Sequence, residues 1–264
     1  MPAFTAADGA VLAYRSGGAS AGMPLLFVHG WQADGRIWQP LLDALGDRYP
    51  TFTLDLRGAG ASNGAPGPYT VERFADDLGD FIDALGLDPV VVVGHSMGAM
   101  VAQRFAVDRP EALEAIVLVA PVPASGIPFP PKVLDFLRGT VGNRQQAARW
   151  LSGLTVGEQS PETVAMLHAA AATLAPATAL ESFASWQPGD FSAEAATIET
   201  PTLVLAPDHD RPEFVKERVA DIIGGSSFVV VENCGHYAPV DKPRELAAAI
   251  AAFLDGLKPK GNSR

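Results

Sequence analysis

The sequence is almost free of cysteine, since Cys234 is the single one among 264 residues. This scarcity excludes an internal disulfide framework, and a lone thiol is typical of a protein from a reducing compartment. Stability must then come from a hydrophobic core, and the 48% of hydrophobic residues are enough to form a sizeable one. We expect a cytoplasmic protein.

Basic residues are scarce as well. Lysine and arginine number 19 against 30 aspartate and glutamate residues, which gives a formal net charge of -11 at pH 7. Binding of nucleic acid requires a basic face that neutralises phosphates, so this balance argues against a nucleic-acid partner. It argues in the same direction against docking on anionic lipid.

Long hydrophobic runs are missing too. The run AIVLVAPV at 115–122 is far shorter than the about 20 apolar residues that a transmembrane helix needs. The first residues, MPAFTAADGA, contain neither the basic nor the apolar segment of a secretory signal. We therefore expect no membrane partner.

What the chain does contain is an alternation of short apolar runs with longer segments of helical periodicity. Near-continuous apolar runs, typical of parallel strands covered on both faces, lie at 24–30, 51–56, 90–94, 115–120, 202–206 and 227–233. Helices are predicted over 70–86, 97–108, 212–223 and 241–257, the first of them capped by Thr70. A DG pair within the first 15 residues predicts an antiparallel hairpin at the sheet edge.

The alternation stops between about 121 and 190. PVPASGIPFPP, at 121–131, breaks regular structure, and the helix-like segments that follow contain Trp150, Trp186 and an alanine-rich stretch without any strand pattern. We interpret this region as a helical insertion over one end of the sheet. The predicted organisation is a core of 1–120 and 191–264 with a cap of 121–190.

A serine lies between two glycines directly after four valines, in GHSMG at 94–98. The pattern G-x-S-x-G between a strand and a helix is typical of a nucleophile held on a tight turn. Side chains two positions before or after the serine would collide with neighbouring elements, which explains Gly94 and Gly98. The N-terminus of the following helix offers free N–H groups to a developing anion. Ser96 is the candidate nucleophile.

A serine hydroxyl needs a base that takes its proton. The five histidines are His29, His95, His168, His209 and His236. His236 follows the last predicted strand, so it lies at the sheet edge where Ser96 also lies. His95 is expected to point away from the serine and pack locally, His168 to lie within a helix of the insertion, and His29 to be structural. His236 is the candidate base.

The histidine in turn needs a carboxylate that fixes its tautomer. LVLAPDHDRPE places Asp208 and Asp210 on the loop after the strand 202–206, whereas the loop after 115–120 has no carboxylate. Both aspartates satisfy the requirement. The tetrahedral oxyanion needs backbone donors, which Met97 N–H and, in the loop HGWQADG, Trp31 N–H can supply.

No metal or cofactor is expected. The Asp-His-Asp string has no further ligand cluster beside it. RGAGASNG, at 57–64, is similar to a dinucleotide-binding glycine loop, but the prolines of APGPYT prevent a helix from beginning there.

Taken together, FVHGW, DLRGAGAS, GHSMGAMVAQ, PTLVLAPDHD and NCGHYAPVDKP, in this order, resemble the α/β-hydrolase superfamily. The resemblance implies an α/β fold: a mostly parallel eight-stranded sheet, helices on both faces and a helical cap. It implies a catalytic triad with Ser96 as nucleophile and His236 as base, and Trp31 and Met97 as oxyanion donors. The family pattern G-x-x-D aligns with PDHD and favours Asp210 as the acid; Pro207 replaces the usual glycine, which keeps Asp208 as a lesser candidate.

The HGW string and the DR after the acid most resemble the branch of arylesterases, enol-lactonases and cofactor-free haloperoxidases. The expected function is hydrolysis of a small carboxylic ester or lactone substrate through an acyl-enzyme. A serine at 96 disfavours the haloalkane dehalogenase and epoxide hydrolase reactions, which use a carboxylate nucleophile in this fold. C–C bond hydrolysis, perhydrolysis and non-catalytic ligand binding are the alternatives. The oligomeric state is not indicated.

Overall fold

An eight-stranded sheet forms the centre of the computed structural model, which describes residues 1–257. The strands are β1 (Ala3–Thr5), β2 (Val11–Gly18), β3 (Leu25–Val28), β4 (Pro50–Leu54), β5 (Val90–His95), β6 (Leu113–Val119), β7 (Thr202–Pro207) and β8 (Ser227–Val231). Their spatial order is β1-β2-β4-β3-β5-β6-β7-β8. Only the pairs of β2 with β1 and β4 are antiparallel. The predicted mostly parallel sheet and its N-terminal hairpin are confirmed.

Helices cover both faces of this sheet, as the sequence predicts. They are α1 (Gln39–Leu45), α2 (Val71–Leu85), α3 (Met97–Asp108), α4 (Pro131–Thr140), α5 (Arg144–Ser152), α6 (Pro161–Thr173), α7 (Pro176–Trp186), α8 (Ser192–Ala195), α9 (Pro212–Val215), α10 (Ala238–Asp241) and α11 (Pro243–Gly256). Short 3-10 turns lie at Gly35–Trp38, Gly46–Arg48, Gly60–Ser62 and Pro110–Ala112. Helices α2 and α3 pack on one face, and α1 and α11 pack on the other.

Strand β5 illustrates why the apolar runs become central strands. Val90 and Val92 join the core on the face of α2, whereas Val91 and Val93 join the core on the face of α1. All of them are 0% exposed, and burial of each valine side chain contributes about 1.5 kcal/mol or more. Because successive side chains of a strand point to opposite faces, only a continuous apolar run fills both cores.

The predicted coverage of both faces is wrong for β8. This strand ends the sheet, and Val229 and Val230 are 39% and 43% exposed. The apolar run of β8 is similar in composition to the run of a central strand. At this edge of the sheet, however, other strands and helices cover its residues less completely than they cover a central strand.

Two of the predicted helices differ from the structure at their ends. The helix that begins at Pro212 continues as a π-helical segment, Lys216–Ala220, and ends in a turn before Gly224. The last predicted helix is interrupted at Lys242 (φ -136°, ψ 51°), because a residue before proline is disfavoured in the α conformation and Pro243 follows. The short helix α1 has no side-chain cap, but it has a proline in its first turn and ends at Gly46, which has φ 59°.

The region between β6 and β7 contains α4 to α8 and no strand within 121–190, all of which is described. The predicted division into core and cap domains stays a prediction, and its last positions, 258–264, lie outside the described residues. Across residues 1–257, no individual helix has both the length and the apolar character to span a bilayer. Only α6 and α7 together, bent by 94°, meet those two criteria.

Candidate active site

Ser96 lies on a sharp turn between β5 and α3. Its backbone has φ 55° and ψ -119°, a conformation that non-glycine residues rarely adopt. The turn is held from outside, because Ser96 N–H donates to the Val119 carbonyl and the Ser96 carbonyl accepts the Val122 N–H. A Cβ atom at Gly98 would overlap the backbone of Val28, and one at Gly94 would overlap the backbone of Gly98. The predicted reason for both glycines is confirmed.

His236 reaches this serine from the loop between β8 and α10. Its Nε2 lies 2.9 Å from Ser96 Oγ, and its Nδ1 lies 2.6 Å from Asp210 Oδ2. A carboxylate can only accept, so Nδ1 carries the proton and Nε2 is left to accept from the hydroxyl. The structure thus brings together the residues that the sequence singled out as nucleophile, base and acid.

Asp208 has a different position from Asp210. Its two carboxylate oxygens accept the backbone N–H groups of Asn233 and Cys234, each at 2.9 Å. The hydrogen bond from Cys234 N–H is the main factor that lowers the pKa of Asp208. Asp208 therefore fixes the start of the loop that carries His236, and Asp210 alone contacts the imidazole.

The side chains of the Asp-His-Asp string have different partners. The His209 side chain is 56% exposed and lies next to Asp208. Within residues 1–257, no group of three or more His, Cys, Asp or Glu side chains is arranged to hold a metal ion.

His95 contacts the loop that carries His236, and sequence reasoning missed this contact. Its Nε2 lies 2.8 Å from the His236 carbonyl oxygen, and the two rings are 4.9 Å apart. Since a carbonyl can only accept, Nε2 carries the proton, and the buried Nδ1 has no partner in the described part of the chain. Burial, followed by the charge of His236, holds the pKa of His95 well below its usual range. A neutral His95 therefore supports the backbone of His236; adjacency to Ser96 was the only available signal.

His29 shapes the loop before Trp31. Its Nδ1 donates to the Gly30 carbonyl at 2.9 Å, and its Nε2 accepts from Leu56 N–H at 3.0 Å. Burial lowers the pKa of His29, so both ring nitrogens serve as neutral partners. His168 lies in α6, as the sequence predicts for a helix of the insertion.

The two candidate oxyanion donors flank Ser96. Met97 is the first residue of α3, where backbone N–H groups have no partner within the helix. No acceptor among the described residues takes the N–H of Met97 or Trp31. The loop of Trp31 lies directly against Ser96, since a Cβ atom at Gly30 would be 2.8 Å from Ser96 Cβ. Both donors are therefore available beside the serine.

The Trp31 side chain connects this loop to the insertion. Its indole Nε1 donates to the Ala179 carbonyl of α7 at 2.9 Å. Its ring packs against Phe183, Trp150 and Trp186 at centroid distances of 4.9, 5.5 and 5.9 Å. The insertion thus holds the backbone of Trp31 in place through an aromatic cluster.

The insertion also contacts the His236 loop on both sides of the histidine. Asp241 Oδ2 accepts Gly235 N–H at 2.8 Å and Val156 N–H at 2.9 Å. Tyr237 N–H donates to the Leu154 carbonyl at 3.2 Å. Burial raises the pKa of Asp241. These hydrogen bonds connect the segment after α5 to the loop that carries His236.

A cavity of about 330 Å³ lies between the triad and the insertion. Ser96, Asp210 and His236 line it on one side. Its other walls are mainly apolar and aromatic, and they include Trp31, Ile127, Phe129, Val133, Phe136, Leu137, Trp150, Leu154, Trp186 and Phe214. Ser96 therefore lines a space that suits a small, mainly apolar molecule.

Comparison with known proteins gives matches over most of the chain. The model of the Alpha/beta hydrolase family matches residues 25–249. A putative carbamate hydrolase, RutD, of Caulobacter vibrioides is 30% identical, with coverage of 91% of this chain and 93% of that protein. A non-heme chloroperoxidase of Kitasatospora aureofaciens is 29% identical, with coverage of 92% and 96%.

A solved structure is similar over almost the whole length. It is a malate-bound thermophilic esterase from Thermogutta terrifontis, with a TM-score of 0.80, 26% identity and coverage of 96% of both chains. Some other similarities are local. The match to an acetyltransferase component of the acetoin cleaving system of Cupriavidus necator is 38% identical but spans only 32% of that protein.

Proposed function

Because this chain belongs to the α/β-hydrolase family, we propose that it is a serine hydrolase that cleaves a small carboxylic ester or lactone through an acyl-enzyme. One observation carries the proposal: His236 Nε2 lies 2.9 Å from Ser96 Oγ while its Nδ1 is held by Asp210 at 2.6 Å. A hydroxyl, a base and a carboxylate in this order are the groups that acyl transfer requires.

In the first step, Ser96 Oγ attacks the substrate carbonyl carbon as its proton passes to His236 Nε2. The carbonyl oxygen becomes an oxyanion, which the N–H groups of Trp31 and Met97 stabilise. Asp210 stabilises the imidazolium that has formed. His236 then returns the proton to the leaving alcohol oxygen, and the acyl group stays on Ser96.

In the second step, water replaces the alcohol. His236 takes a proton from the water, whose oxygen attacks the acyl carbon, and the tetrahedral intermediate again rests on Trp31 and Met97. Collapse of the intermediate breaks the bond to Ser96 Oγ, which regains its proton from His236. The products are a carboxylic acid and the free enzyme.

A second candidate function is perhydrolysis, in which hydrogen peroxide attacks the acyl-enzyme and a peracid leaves. The similarity to a non-heme chloroperoxidase favours it. The same residues would serve both reactions, since the chemistry differs only in the acceptor. Turnover of an ester in the presence and absence of peroxide, with the peracid trapped by bromide, distinguishes them.

A fluorophosphonate probe and p-nitrophenyl acetate test the proposed function. We expect one covalent adduct on Ser96 and steady ester turnover, both lost in Ser96→Ala. Ser125→Ala is the matched control, because Ser125 is half-buried, makes no hydrogen bond through its hydroxyl in the described chain and does not line the cavity. If the folded protein forms no adduct and does not hydrolyse the ester, it is a ligand-binding protein instead. C–C bond hydrolysis would be detected as turnover of a vinylogous diketone.

The proposal includes two further elements from the sequence. Residues 121–190 would act as the cap that shapes the acyl and alcohol pockets, which the aromatic cluster around Trp31 supports. The protein would act in the cytoplasm, which the single buried Cys234 thiol supports. Fractionation of the native cells tests the location.

A further inference from the structure

Arg211 is the one cation, histidines aside, among the residues that line the catalytic cavity. It follows Asp210 directly and has a left-handed backbone conformation, with φ 52° and ψ 61°. A non-glycine residue in this region is uncommon, and such residues cluster at functional sites. The turn therefore places a guanidinium group beside the triad.

The guanidinium is held by an aromatic ring rather than by an acid. Its central carbon lies 4.9 Å from the ring centre of Phe214, which also lines the cavity. The Arg211 guanidinium forms no ion pair and donates no hydrogen bond to another described residue, whereas Arg104 and Arg109 each pair with two carboxylates. Asp210, next to it in the chain, is engaged with His236. The donors of Arg211 are therefore available to a ligand.

The remaining cavity walls make the Arg211 guanidinium selective for an anionic group on an apolar ligand. They are mainly apolar, so they suit a hydrocarbon chain and supply no other full positive charge. A guanidinium presents a planar set of donors that matches a carboxylate in a bidentate arrangement. The overall charge of -11 disfavours anions in general, so binding of an anion here depends on a local cation.

We propose that Arg211 binds a carboxylate on the substrate, so that the preferred substrates are esters or lactones with an apolar chain that ends in a carboxylate. This inference rests on the proposed function for its catalytic consequence. The carboxylate would lie at the mouth of the cavity beside Phe214, with the scissile carbonyl at Ser96.

Matched esters test the inference kinetically. Mono-p-nitrophenyl adipate and p-nitrophenyl hexanoate have the same chain length, and only the adipate ends in a carboxylate. We expect the ratio of their kcat/KM values, adipate over hexanoate, to fall at least tenfold in Arg211→Gln, which corresponds to about 1.4 kcal/mol. Arg211→Lys keeps the positive charge without the bidentate geometry, so its kcat/KM ratio should lie between those of the wild type and Arg211→Gln. High salt should lower the ratio of the wild type and leave that of Arg211→Gln nearly constant.

Arg218→Gln is the matched control, because Arg218 is exposed on the segment after α9 and does not line the cavity. It should keep the wild-type ratio. An equal fall in both variants would indicate a long-range effect of net charge and would overturn the assignment to Arg211. An unaltered ratio in Arg211→Gln would overturn it as well.

A binding experiment separates this inference from the proposed function. In a Ser96→Ala background, the fluorescence of the cavity tryptophans reports binding of monomethyl adipate and methyl hexanoate. We expect the additional Arg211→Gln substitution to weaken binding of monomethyl adipate at least tenfold more than binding of methyl hexanoate. If the wild type hydrolyses neither ester but this difference appears, the hydrolase proposal fails and the carboxylate site stands. If the difference is absent, the carboxylate site is refuted regardless of turnover.

Discussion

His236 Nε2 and Ser96 Oγ lie 2.9 Å apart although 140 positions separate the two residues in the chain. Ser96 follows β5, Asp210 follows β7 and His236 follows β8, and these strands run parallel in the order β5-β6-β7-β8. Because parallel strands end at the same edge, the three loops converge there. Individual contacts that maintain this convergence can be removed one at a time.

The first contact is that between Asp210 and His236. Asp210→Asn leaves an amide where the imidazole needs an acceptor, so the wrong tautomer is favoured and kcat should fall by about 10⁴, as for the corresponding acid of serine proteases. Asp208→Asn should lower kcat far less and reduce the melting temperature, because its carboxylate holds Asn233 and Cys234 instead. Steady-state kinetics and thermal melts of both variants check this ranking, and the opposite ranking would assign the acid to Asp208.

The second contact is the hydrogen bond from His95 to the His236 carbonyl. His95→Leu removes the donor and should lower kcat by up to about 100-fold, since a displacement of 1 Å in a catalytic group has effects of this size. KM should alter little, because His95 supports the base rather than the substrate. His95→Gln keeps an N–H donor and should recover part of kcat. Equal loss in both variants, with a parallel loss of stability, would indicate a packing role only.

The third contact is the close approach of α3 to β3 at Gly98. Gly98→Ala forces a methyl group against the carbonyl oxygens of Val28 and His29. Such overpacking costs about 1–3 kcal/mol, and we expect a lower free energy of unfolding together with reduced kcat. Gly64→Ala is the control, since a Cβ atom there meets nothing within 4 Å. Urea titration of the two variants measures the difference; similar midpoints would contradict the steric account.

A fourth prediction concerns acid stability. A hydrogen bond from Arg57 lowers the pKa of Asp8 from 3.8 to about 2. Because the folded-state pKa is the lower one, the stabilisation is complete above about pH 4 and is lost as the pH falls toward 2. The free energy of unfolding of Asp8→Asn should therefore decline less than that of the wild type between pH 4 and pH 2.

Urea titrations at the two pH values measure this decline. Asp47→Asn is the control, because Asp47 is exposed and has no ion pair among the described residues. It should follow the wild type. A wild type and an Asp8→Asn variant with the same loss of stability would refute the role of the Arg57–Asp8 pair.

Local patterns in the sequence were sufficient for much of the fold. The run of valines at 90–93 and the amphipathic period of α2 each determine their element through side chains that lie near one another in the chain. The turn at Ser96 is also determined by residues near one another in the chain, because Gly94 and Gly98 have no side chains that would clash with neighbouring elements. His236 could be singled out because the end of a parallel strand fixes its edge of the sheet.

The tertiary structure alone decided the contacts between distant parts of the chain. Asp208 and Asp210 lie on the same loop, and the sequence does not show which of them contacts the imidazole. The fold of the loop directs Asp210 at His236 and Asp208 at the backbone of Asn233 and Cys234. The bond from His95 to His236, and the link of Asp241 to the insertion, join segments that no periodicity relates. Sequence patterns indicate which face of a helix or strand is buried. Which residue of another element a side chain then contacts depends on how the elements pack in the tertiary structure.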